Sequence, residues 1–68
     1  MDPATHKRYL DYRESYVYFG AETRRPILSA EAFAIADAEQ RELEGRGDAR
    51  DDEEQARYEE LRKLLFRD

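Results

Sequence analysis

His6 is the only histidine in the chain, and histidine is the side chain whose ordinary titration falls nearest neutral pH. To act as a general base or to hold a metal it needs partners, and its nearest candidates are carboxylates that the sequence does not place beside it. A solvated histidine near a fraying terminus is the simpler expectation. Ser15 and Ser29 have no base at motif spacing, and no glycine-rich phosphate loop occurs. Cysteine is absent, which removes thiolate nucleophiles, thiolate metal sites and disulfides together.

Carboxylates are the abundant functional group. The stretch DARDDEE, residues 48–54, is the densest cluster, but it lacks the alternating oxygen ligands, central glycine and distal glutamate of a calcium loop. An acidic helix start explains it better, because negative charge suits the N-terminal end of the helix dipole. The tripeptide Arg46-Gly47-Asp48 matches a known adhesion motif, yet it falls at a helix break, where Gly and Asp are expected in any case. Glu53 with Glu54 and Glu59 with Glu60 are adjacent pairs with nothing to bury them. The sequence therefore predicts no catalytic residue, metal, cofactor or small-molecule substrate.

The elements that carry these residues are short and few. Sixty-eight residues make one domain at most, expected over 1–68. A core of that size rarely contributes more than ~3–5 kcal/mol, so small natural domains usually add a staple. With disulfides excluded, a partner chain is the simplest one. No apolar run approaches a membrane span, and no charged start followed by an apolar core reads as a signal peptide, so a cytoplasmic protein is expected. The net charge of −5 argues against direct nucleic-acid binding. Residues 1–28 carry five bases and four acids, and residues 29–68 carry seven bases and thirteen acids, so the acidity lies in the second part.

Three helices follow from the end signals, at about 3–18, 29–44 and 51–66. The first opens at Asp2-Pro3, an N-cap followed by proline where its missing N–H costs nothing. Gly20 suits a left-handed residue that stops it. Residues 19–28 form a connector, since Pro26 biases Arg25 towards extended backbone. The competing reading pairs SYVYF with RPIL as a short β-hairpin within residues 15–28. It is opposed by a helical period from Tyr9 onward and by the marginal stability of an isolated two-stranded hairpin. Ser29 caps the second helix, whose inner face is Phe33, Ala36, Gln40 and Leu43. The third opens with the Asp51-x-x-Glu54 capping box and buries Tyr58, Leu61 and Leu65. A short link makes the last two an antiparallel helical hairpin over 29–66. The fold class is thus all-α, a small three-helix unit.

The unusual feature is the concentration of rings in the first helix. Tyr9, Tyr12, Tyr16 and Phe19 form one band, Leu10 and Val17 lie beside it, and Tyr18 points away. A buried tyrosine must find a partner for its hydroxyl, so leucine would make the easier core. Tyrosine with arginine is instead the composition of protein interfaces. Tyr9, Tyr12, Arg13, Tyr16, Tyr18 and Phe19 are accordingly the expected contact residues. They suit a small non-catalytic adaptor or regulatory subunit that binds a protein or a second copy of itself. The alternative is an acidic inhibitor whose Asp51, Asp52, Glu53 and Glu54 imitate phosphates and fill a basic groove on a nucleic-acid-binding protein.

Overall fold

The computed structural model describes residues 1–67, at Ala21 the backbone alone; Asp68, the last residue of the expected 1–68 domain, lies outside them. The architecture is all-α. Three helices follow one another, α1 over Pro3–Thr23, α2 over Ala30–Arg46 and α3 over Asp52–Leu64, with a 3-10 turn at Gly47–Ala49 before α3. Among the described residues there is no strand, so the hairpin alternative for 15–28 does not form. Internal contacts divide the chain into two compact units, Met1–Ala34 and Ile35–Asp68, and the division falls inside α2.

In the first unit, α1 runs five residues beyond the expected end at 18 and stops at Thr23. The reason is Gly20. It is helical rather than left-handed, and the ring of Tyr16 lies against it so closely that a Cβ there would sit 2.7 Å from the ring carbons. Glycine is present for that approach and not as a stop signal. The left-handed residue is Arg24, at φ 56°. The Thr23 hydroxyl donates to the Gly20 carbonyl at 2.8 Å and accepts from the Arg25 N–H at 3.3 Å. Pro26 then prevents continuation.

The connector is held by side chains of α1. Tyr12 Oη accepts from the Leu28 N–H at 3.0 Å, and the Tyr16 hydroxyl donates to the Arg25 carbonyl. Ser29 caps α2 as expected, its Oγ accepting from the Ala32 N–H at 3.1 Å. Phe33, fully buried in the first turn of α2, lies 5.3 Å ring to ring from both Tyr9 and Tyr12.

In the second unit, the remainder of α2 and α3 run antiparallel. Cross-links descend one helix as they climb the other: Arg46 with Glu54, Glu39 with Arg57 and Asp37 with Arg67. Ala36, Leu43, Tyr58, Leu61 and Leu65 are the buried apolar residues. Gly47, at φ 52°, takes the left-handed turn after α2, which passes through Gly45 to Arg46 rather than ending at 44. α3 starts from the full capping box. Asp51 Oδ1 accepts from the Glu54 N–H at 2.7 Å, and Glu54 Oε1 accepts from the Asp51 N–H at 3.4 Å.

The third helix closes two residues short of the expected 66, because Phe66 adopts φ 57°. The Phe66 N–H then reaches the Lys63 carbonyl at 3.2 Å and the Arg67 N–H reaches the Arg62 carbonyl at 2.7 Å. These two bonds are the Schellman pattern, with phenylalanine in the place glycine usually takes. The turn delivers the Arg67 guanidinium to Asp37 Oδ1 at 2.7 Å and Gln40 Oε1 at 2.6 Å.

Candidate protein-docking surface

The band expected to meet a partner is divided by the fold. Tyr12 is 4% exposed and belongs to the core of the first unit. Burial pushes its phenol above the ordinary tyrosine range, opposed by the bond from Leu28. Tyr9 and Tyr16 are half-buried, one against Phe33 and the other along Gly20. Arg13 is exposed, with its guanidinium carbon 5.8 Å from the centre of the Tyr9 ring. Tyr18 and Phe19 are exposed, with ring centroids 6.4 Å apart. The side of α1 that carries the phenol band thus meets α2, and the opposite side faces solvent.

Of the apolar residues on that opposite side, the expected contact residues include Tyr18 and omit Leu10 and Val17. Val17 is 79% exposed, Tyr18 71% and Leu10 47%. Leu10 and Val17 are seven residues apart and so share a helical face, which Tyr18 borders. Burial of Tyr12 by Phe33 is what separates this face from the phenol band. A helical projection shows both faces and does not say which one the rest of the chain covers. Lys7 and Arg13 flank the exposed face, and Glu14 lies within it.

The remaining candidates fall to structural roles. His6 is exposed, and among the described residues no group of three metal-ligating side chains gathers. Arg46 of the Arg-Gly-Asp tripeptide is engaged by Glu42 at 2.9 Å and by Glu54. Asp51 and Glu54 are taken up by the capping box, which leaves Asp52 and Glu53 as the exposed members of that acidic set outside the box.

A surface cleft of about 390 Å³ lies in the second unit, lined by Glu39, Glu42, Glu53, Glu54, Arg46 and Arg57 beside Leu43. Its guanidiniums already have carboxylates, Arg57 meeting Glu39 at 2.8 Å. The hydrogen bond from Arg57 holds the Glu39 carboxyl below its usual range, and Glu39 in turn raises Arg57. The cleft holds pre-formed ion pairs and offers neither a nucleophile with a base nor a donor set aimed at an anion. No helix among the described residues is long and apolar enough to cross a membrane.

No protein-family model matches the chain, and no significant similarity connects it to a curated protein or to a solved structure.

Proposed function

We propose that this chain is a small non-catalytic adaptor or regulatory subunit of the cytoplasm that works by docking α1 onto another protein or onto a second copy. The supporting observation is the solvent-facing side of α1, where Leu10, Val17 and Tyr18 stand exposed in a chain whose charged fraction is 43%. Apolar side chains clustered on one face of such a wet molecule suit the dry centre of an interface, and arginine beside tyrosine suits its rim. The contact set is therefore Leu10, Arg13, Val17 and Tyr18, and Phe19 is exposed on the flank of the phenol band. Tyr12 contributes by fixing the helix, and Tyr9 and Tyr16 border the set.

The test uses the intact chain as bait in an extract of its native host, beside Val17→Asp and Tyr18→Ala forms. Both positions are largely solvated, so helix content by circular dichroism should not change. A protein retained by the wild-type chain and lost by both variants supports docking through α1. Retention that is indifferent to both substitutions refutes it.

A further inference from the structure

Two polar side chains are buried on α2, Asp37 at 2% exposure and Gln40 at 3%, three residues apart and so on one face of the helix. Each takes a different nitrogen of the same guanidinium. Asp37 Oδ1 accepts from Arg67 Nη2 at 2.7 Å, and Gln40 Oε1 accepts from Arg67 Nη1 at 2.6 Å. The planar fork of a guanidinium matches that pair of acceptors, whereas an ammonium brings them a single nitrogen. Well-packed apolar side chains of similar volume ordinarily stabilise a core as well as a buried ion pair does. What the polar pair adds is selectivity for the group that enters.

The occupant arrives on a short, strained arm. α3 ends at Leu64, and Arg67 lies three residues on. Phe66, between them, holds φ 57°, a left-handed backbone that costs a bulky side chain free energy. The Arg62 guanidinium donates to the Arg67 carbonyl at 3.3 and 3.4 Å, beyond the usual range for such bonds. The Arg67 side chain is 25% exposed, so the socket is open to solvent on one side. Opening the turn relaxes Phe66 and leaves a buried carboxylate that calls for another cation.

We infer that Asp37 and Gln40 form a guanidinium-binding site, filled by the chain's own Arg67 and open to exchange with an arginine side chain from another chain. This goes beyond the docking reading, because Asp37, Gln40, Arg62, Phe66 and Arg67 all belong to the second unit. Arg67 is the internal competitor. A short tether gives it an effective concentration on the order of millimolar, so an incoming arginine must exceed that level or ride on a chain that makes further contacts.

The probe is N-acetylarginine amide, read first by thermal unfolding of the Arg67→Ala chain. At about 10 mM, above the range set by the tether, it should raise the midpoint by several degrees, and N-acetyllysine amide should not. The Arg67→Ala/Asp37→Asn chain lacks the anion of the socket and should respond to neither. An equal rise with the lysine compound, or in the double variant, overturns the inference. Should Arg67→Ala be unfolded on its own, the arginine compound should restore its helix signal by circular dichroism, and failure to do so overturns it equally. In the wild-type chain, the Arg67 Nε–H resonance should move as the compound is raised through the millimolar range. A wild-type resonance that ignores the compound makes the pair a fixed internal contact and overturns exchange. Sedimentation equilibrium then separates the sources of the arginine. Wild-type dimers lost in Arg67→Ala identify a second copy, and wild-type monomers that still take up the compound identify a different partner chain.

Discussion

Replacing Arg67 by alanine should destabilise the chain far more than a change just past a helix end ordinarily does. Arg67 is tied by its N–H to the Arg62 carbonyl, by its own carbonyl to the Arg62 guanidinium, and by its guanidinium to Asp37 and Gln40. Asp37 is 2% exposed, so a carboxylate that loses this cation cannot turn to water. Breaking a buried pair costs about 3–5 kcal/mol, and a single hydrogen bond to a charged group contributes about 1.5–3 kcal/mol. The Arg67 side chain is 25% exposed, which moves the expectation towards the lower range, about 2–4 kcal/mol. A domain of this length has a total stability of roughly 3–10 kcal/mol, so the loss is a large share of it. At ~4–8 °C per kcal/mol, the thermal midpoint should fall by about 8–32 °C.

The assay is urea unfolding followed by circular dichroism on the wild type, Arg67→Ala, Asp37→Asn and the double variant. The two single changes should cost less together than separately, because the second removes a group whose partner has already gone. A loss below about 0.5 kcal/mol for Arg67→Ala, within the range of ordinary surface changes, would refute the argument that this residue anchors the second unit.

Two further outcomes follow from α1. Gly→Ala inside a helix normally gains ~0.5–1 kcal/mol, but Gly20→Ala should lower the melting temperature, because the new methyl group displaces the Tyr16 ring; a rise in melting temperature would contradict the packing described. Tyr12→Phe should cost about 1 kcal/mol by leaving the Leu28 N–H without its acceptor. The folded-state pKa of Tyr12 lies above its unfolded value near 10, so this phenol's contribution is complete below that value and is lost as pH rises through the folded pKa. Alkaline unfolding of the wild type should therefore be steeper than that of Tyr12→Phe, and identical alkaline limbs would exclude the effect.

What the sequence made legible was local. Ser29 and the Asp51–Glu54 box mark helix starts through short-range side-chain bonds. Pro3 marks one through its fixed backbone, Asp2 making no side-chain cap bond, and each helix begins within a residue of where its signal places it. The ends were harder to read, because each depends on what a side chain touches. Gly20 looks like a stop until the Tyr16 ring is seen against it, and Phe66 is an improbable left-handed residue until the two Schellman bonds are in place. The same limit applied to the docking surface. Periodicity placed four rings on one side of α1, and only the position of Phe33 shows that this side is used internally. Asp37 and Arg67 were invisible as a pair, since they are thirty residues apart and each looks like a solvated charge.

The two phenols that reach the connector have a consequence for how far this chain can vary. Residues 24–28 run without a helix or a neighbouring strand to satisfy their amides, and Tyr12 and Tyr16 serve them at Leu28 and Arg25. A flat ring alone fills the space, but the oxygen at its tip splints a length of peptide whose other side-chain support is the Thr23 hydroxyl at Arg25. Substitution by phenylalanine, conservative by size and hydrophobicity, is therefore costly at 12 and 16, whereas position 18, whose ring stands in solvent, is released from that constraint.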